Sequence, residues 1–416
     1  MTGIQAAGVA KSGPWWGTSA HEQFLLQDAA RHFAFFRPSL DPSGGFHVQE
    51  IDGIPVPDKP RELHATTRMI HSFALAQLAG VPGADEMIDH GMTALWQFHR
   101  DTVHGGYLTA FAPGGGVADG RKLAYGHAFV LLAASSAKLA GHPDADRLLA
   151  DIREVIETRF WDPALDRMNE EYLQDWQSFS TYRGMNANMH MAEALLGAAE
   201  ATGEAEFARR ARAIFAFFVA EQGGNNGWRL PEHYTAEWRP DPNYLGDPVF
   251  RPQGSTPGHS FEFARLMLQL WDLTGRQDAE LLSWAEQLYD RAMADGRAPE
   301  GGIYYTVESE SGAPKVATRF WWPLTEAIGA AAALTKAGVD KTDDYRAFWQ
   351  MAEQLFIDKD RGGWFPEVDA KGQPAATQFS GKPDIYHSLQ ASLYPLLPGI
   401  AGLKSGLETL RGKMPG

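Results

Sequence analysis

Glycines recur along this chain at a spacing set by a structural unit. Gly80, Gly141, Gly203, Gly275 and Gly338 each close an apolar stretch, and the gaps between them are 61, 62, 72 and 63 residues. Within each stretch the apolar residues return every three or four positions, and a glycine after such a stretch is the residue that ends a helix in the left-handed conformation. A second register keeps the same period: Gly44-Gly45-Phe46, Gly105-Gly106-Tyr107, Gly227-Trp228, Gly301-Gly302-Ile303 and Gly362-Gly363-Trp364, with Phe160-Trp161-Asp162 where the third turn is due. Between each closing glycine and the next turn lies a second amphipathic stretch, such as 87–99 or 280–294. The unit is helix, glycine, helix, turn, and a repeat of that kind decides the architecture before any local assignment.

Six such pairs either stack into an open superhelix or close into a ring. The first helices, rich in Ala, Leu and Gly, suit tight packing about an axis. The period is also longer than the roughly 34–47 residues of open TPR and HEAT repeats. We expect an all-α (α/α)6 barrel forming one domain over residues 15–416, after a Gly/Ala/Ser-rich tail of residues 1–14. The proline-rich stretches 51–60 and 239–257 fall inside the period and mark no linker.

Composition removes whole classes of chemistry. The 416 residues include no cysteine, which excludes disulfides, thiolate zinc sites, iron–sulfur clusters and a cysteine nucleophile. With 37 basic against 52 acidic side chains, the net charge of −15 repels phosphate backbones and anionic headgroups. No window approaches ~20 apolar residues, and the N-terminus lacks a signal-peptide core. The expectation is a cytoplasmic protein with neither a nucleic-acid nor a membrane partner; flat helical flanks leave a homodimer open.

If the first helix of each pair lines the barrel, residues at equal distance from its closing glycine share a depth, because a helix advances about 1.5 Å per residue. Arg68, His127, His190, Glu262 and Glu326 stand 12 to 14 residues before their glycines, and His259 and Trp322 each stand 16 before. One polar residue in an apolar helix is most often a satisfied core group. Five at one depth make a concave site of imidazoles, carboxylates and a guanidinium. His259, after Thr256-Pro257-Gly258, and His387, after Asp384-Ile385-Tyr386, lie at helix starts, where the positive end of the dipole favours the neutral ring that a general base needs. His259 and Glu262 are three apart, so the carboxylate is placed to orient the imidazole; His190 and Glu193 share that spacing, which also suits a plain helix pair. No HExxH, calcium-type loop or phosphate-binding loop is present, and we expect neither metal nor cofactor.

Several of these segments together carry a family likeness: Thr67-Arg68-Met69, Tyr125-Gly126-His127, Tyr182-Arg183-Gly184 with Asn186 and His190, Thr256-Pro257-Gly258-His259 with Glu262, Trp322-Pro323 with Glu326, and Asp384 to His387. From about Trp15 to Pro398 the chain resembles the N-acylglucosamine 2-epimerase superfamily, most closely its aldose–ketose isomerase branch. The resemblance implies a metal-free, cofactor-free reaction in which an opened sugar loses its C2 proton and a histidine returns it to C1 through a cis-enediolate. It assigns the proton shuttle to His387, assistance at ring opening or at the oxygens to His259 supported by Glu262, and hydroxyl binding to His190 and Arg68. Tyr125, His127, Asn186, Arg183, Trp321, Trp322, Glu326 and His64 complete the expected sugar-binding set.

Two departures bear on the substrate. Val249, Pro366 and Pro383 stand where sulfosugar isomerases place an arginine and two glutamines, which favours an uncharged hexose such as mannose. His64 stands where relatives commonly have tryptophan. Three alternatives stay open: 2-epimerisation of an N-acylglucosamine or a cellobiose-type sugar, glycoside hydrolysis by a Glu262–Glu326 pair on the same barrel, and a sugar-binding scaffold without catalysis.

Overall fold

The apolar stretches fold into helices that alternate between an inner and an outer ring. In the computed structural model, which describes residues 15–375 and 377–415, the inner helices are α2 (Leu63–Leu78), α4 (Ala124–Ala140), α6 (Met185–Thr202), α8 (Pro257–Leu273), α10 (Trp321–Ala337) and α12 (Tyr386–Leu393). The outer helices are α1 (Ser19–Phe36), α3 (Ala84–Ala94), α5 (Ala145–Val155), α7 (Ala205–Phe215), α9 (Ala279–Gly296) and α11 (Thr342–Leu355), and a short α13 (Leu403–Glu408) follows. Each inner helix packs on the next, and α12 packs back on α2, so the ring closes. The expected tail 1–14 lies outside the described residues. Among the described residues no helix is long and apolar enough to cross a membrane.

Sequence character sorts the two rings. An outer helix such as α5 buries Leu148, Leu149, Ile152 and Val155 along one stripe and turns its charged residues outward. An inner helix such as α10 is buried nearly all round, and its run of small residues from Gly329 to Ala333 lets neighbours approach closely. Gly141 closes α4 at φ 85°, where its N–H reaches the carbonyls of Ala137 and Lys138; a side chain there would meet the steric penalty of the left-handed region.

The sixth pair differs from the expected repeat. Five pairs are consecutive hairpins, but α12 ends without a closing glycine, and among the described residues no inner helix precedes α1. The two ends meet instead: α1 packs on α12. Asp28 accepts hydrogen bonds from Ser392 Oγ (2.7 Å) and Trp364 Nε1 (3.2 Å), both beyond residue 360.

Connections from inner to outer helices are short; those from outer to inner helices are long and carry two- and three-residue strands. The strand before an inner helix pairs antiparallel with one from the following unit, as Lys122–Leu123 does with Glu171–Tyr172, and Arg183–Gly184 with His233–Tyr234. The opening N–H groups of the helices, which have no partner within the helix, reach the same neighbours: Leu63 to Thr109 O, Ala124 to Glu170 O, Met185 to Glu232 O and Trp321 to Pro366 O. This stitching holds the inner N-termini in one rim around the mouth of the barrel.

Candidate active site

A cavity of about 190 Å³ opens at that rim, and helix phase decides what lines it. The second residue of each inner helix faces inward: His64, Tyr125, Asn186, Trp322 and His387, with Gly258 in α8 yielding its place to His259. One turn deeper, the sixth residues are Arg68, Phe129, His190, Glu262, Glu326 and Ala391. A spacing of four returns to the same helical face, so the two layers stack. Of the expected residues, His64, Arg68, Tyr125, Asn186, His190, His259, Glu262, Trp321, Trp322 and His387 line the cavity.

Three expected sugar-binding residues do not line it. His127 is the fourth residue of α4, about 200° around the helix from Tyr125. Its ring is held by the backbone, Nδ1 against Leu123 O (2.8 Å) and Nε2 accepting Tyr107 N–H (3.0 Å). The inward residue of α4 at that depth is Phe129, 12 before Gly141; His127 stands two residues further back, inside the expected 12–14 range but on the wrong face. Arg183 precedes α6 in a strand, where it donates to Tyr182 O. Glu326 points inward but stands behind His387, accepting from its Nδ1 (2.8 Å). It therefore cannot flank a scissile bond with Glu262, as a hydrolase pair would.

Three of the four imidazoles at the cavity have a carboxylate at Nδ1, while His64 has Glu62 at Nε2 (3.4 Å). His387 has Glu326, His190 has Glu193 (3.3 Å), and His259 has Glu232, both of whose oxygens lie 3.0 Å away. That last pairing corrects the expected His259–Glu262 partnership: Glu262 instead lies 3.7 Å from His190 Nδ1 and 3.8 Å from Arg265. A proton on each Nδ1 leaves Nε2 as the nitrogen free to meet a ligand. Burial holds His190 down to about 4, so it is neutral at pH 7. The Trp322 indole lies 5.1 Å from the His259 ring and 5.7 Å from the His387 ring, both at tilts near 33°.

Arg68 supplies a fixed positive charge. It pairs with Asp384 (2.7 Å), donates to Tyr125 Oη (2.9 Å) and lies over the Phe129 and Tyr386 rings at 4.5 and 4.8 Å. Burial opposes its charge, but Tyr125 and Asp384 outweigh that and keep it protonated. Asp384 also accepts Tyr386 N–H at the start of α12, so one carboxylate ties Arg68 to the helix that carries His387. Burial pushes Glu262 well above the usual carboxylate range, with Glu326 and Glu193 adding to it, so this group faces the cavity as a neutral acid.

His190, Glu193 and Glu262 bring three potential ligand atoms within 4.8 Å of one another, the geometry of a cation site. Arg265 already stands among them, 3.6 Å from Glu193 and 3.8 Å from Glu262, and supplies the positive charge that a metal would.

The N-acylglucosamine 2-epimerase (GlcNAc 2-epimerase) family matches this chain over residues 44–391, nearly the whole ring. The chain belongs to that family. A D-mannose isomerase from Thermobifida fusca is 40% identical over 404 residues, covering 95% of this chain and 99% of its own length. One from Pseudomonas cannabina pv. alisalensis is 39% identical over 407 residues, with 95% and 97% covered. A crystal structure of D-mannose isomerase superposes with a TM-score of 0.84 at 30% identity, covering 92% of this chain and 99% of that one. Like them, this member of the N-acylglucosamine 2-epimerase family is an enzyme of the isomerase and epimerase class.

For this epimerase-family chain, sequence reasoning missed Glu232, the role of Asp384, and Tyr305 in the cavity lining. Glu232 sits in a rim loop without periodicity. Its signal was the Glu-x-Tyr shared by Glu170-Glu171-Tyr172 and Glu232-His233-Tyr234, one repeat apart. Val249 and Pro383 do line the cavity, whereas Pro366 serves the rim through its carbonyl.

Proposed function

We propose that this enzyme interconverts mannose and fructose by proton transfer between C2 and C1 of the opened sugar. The observation that carries the reading is the pair His259 and His387, set against one indole in a cavity whose only lining guanidinium among the described residues is Arg68. Nε2 of His387 takes the C2 proton and returns it to C1. The cis-enediolate between these steps concentrates negative charge on O1 and O2, where a fixed guanidinium lowers the barrier. His259 moves protons at the sugar oxygens, including the ring oxygen at opening. His190, neutral and held by Glu193, binds a hydroxyl beside Tyr125 and Asn186, and the Trp322 face packs on the sugar's C–H groups.

The carboxylates Glu62 and Asp384 at the cavity and the apolar Val249 and Pro383 favour an uncharged hexose over an anionic one. The test is incubation with mannose deuterated at C2. The reading expects fructose carrying part of the label at C1, and a loss of about 10²–10⁴-fold in kcat for His387→Ala. Glucose without ketose would establish 2-epimerisation instead, and an unaffected variant would remove His387 from the chemistry.

A further inference from the structure

Glu193 and Glu326 reach their imidazoles from inner helices, but Glu232 arrives from the rim and touches two helices at once. Its backbone carbonyl accepts Met185 N–H at the start of α6 (3.0 Å). Its Oε1 accepts Thr256 N–H, immediately before α8 (3.1 Å), and both oxygens face His259 Nδ1. The residue is 5% exposed. A carboxylate has no hydrogen to give, so the imidazole must provide the one in this contact.

We propose that Glu232 is a positioning residue: it fixes the neutral His259 as the Nδ1–H tautomer, with the Nε2 lone pair toward the sugar, and sets α8 against α6. The inference rests on the reading of His259 as a proton-handling group. The repeat supplies an internal comparison. Glu170 holds the same place one unit earlier, its carbonyl accepting Ala124 N–H and its side chain lying against Gly184. Counting from those equivalent glycine and threonine positions, α6 has Ala187 where α8 has His259. Without an imidazole to hold, Glu170 keeps a buried oxygen unpartnered, and burial pushes its carboxyl up to about 7. The same scaffold position thus has both oxygens engaged where a histidine faces it, whereas Glu170 keeps a 3.9 Å contact from Oε1 to Arg251.

Glu232→Gln tests the proposal. The amide oxygen keeps the Thr256 N–H, which turns the NH₂ toward Nδ1; Nδ1 must then accept, and the proton moves to Nε2. In ¹⁵N-histidine NMR of the ligand-free protein, with His259 assigned by its absence in His259→Ala, the parent is expected as Nδ1–H and Glu232→Gln as Nε2–H. With mannose, kcat should fall by about 10²–10⁴-fold, the effect of a misplaced general base, with KM within about threefold. Glu232→Asp, still an acceptor only, should keep the Nδ1–H form. An Nε2–H tautomer in the parent, a Glu232→Gln protein that stays Nδ1–H, or an unchanged kcat overturns the proposal. The parent measurement decides even where the variant does not fold. Full activity in His259→Ala would instead overturn the functional reading, and the tautomer would still judge Glu232.

Discussion

Arg265 lies 3.6 Å from Glu193, 3.8 Å from Glu262 and 3.2 Å from Glu326, three buried carboxylates around one guanidinium. They cannot all ionise in so little solvent. Burial opposes the charge on Glu326, but Arg265 and the hydrogen bond to His387 outweigh it, so Glu326 stays ionised and Glu262 carries the proton. The ninth residue of α10, Gly329, makes room for this arrangement: a Cβ there would stand 3.0 Å from Arg265 Cδ. Glu262→Gln therefore replaces one neutral group with another and should unfold within about 1 kcal/mol of the parent. Arg265→Met strands two buried charges and should cost about 3–5 kcal/mol. Urea denaturation separates them, and equal losses would contradict the assignment of the proton to Glu262. At this scale the inward residues were legible wherever helix phase alone decides, as for Arg68, His190 and Glu262. Their partners were not, because the charge balance around Arg265 joins α6, α8 and α10, and Glu232 sits where no periodicity operates.

Helix termini were the most legible elements, since a cap is a local event. Gly141 and Gly338 close α4 and α10 at φ 85° and 98°, each with its N–H on the last helical carbonyls. A Cβ at Gly141 would meet nothing within 4 Å, so Gly141→Ala isolates the backbone penalty from any clash. That penalty is about 1–2 kcal/mol, and thermal unfolding should show it with no loss of mannose turnover. Gly106 responds to different physics: an added Cβ would come within 2.6 Å of the Trp176 ring and 3.2 Å of His127 Nε2. The turn register marked a place where an indole and a structural imidazole press on the chain. The sixth helix pair escaped because pairing α1 with α12 is a contact between residues more than 350 positions apart, which no local pattern encodes.

Around the whole ring the histidines divide by solvent. Burial lowers His21, His71 and His99 to about 4, as it does His190, and lowers His127 to about 3. Neutral partners satisfy four of them: Tyr345 for His21, Ser136 for His71, the Leu108 carbonyl for His99 and the Leu123 carbonyl for His127. In the unfolded chain each titrates near 6.5. Between that value and the folded one the unfolded chain binds more protons, so stability is fully present above about pH 6.5 and is lost as pH falls. The depressed carboxylates Glu326 and Asp384 act in the same direction only at lower pH, where the unfolded chain begins to protonate its own acids. One histidine can contribute at most about 1.4 kcal/mol per pH unit. Because these five sit on α1, α2, α4 and α6 and on the wider helical turn that continues α3, global unfolding releases them together. The raised carboxyls of Glu170 and Glu262 oppose this, but five rings against two carboxyls leave a net proton uptake on unfolding. The free energy of unfolding from urea titrations should therefore still drop between pH 7 and 5 more steeply than one proton allows. A flat profile there would mean that the buried rings find water or a counter-charge without unfolding the ring, which the close packing of α2, α4 and α6 argues against.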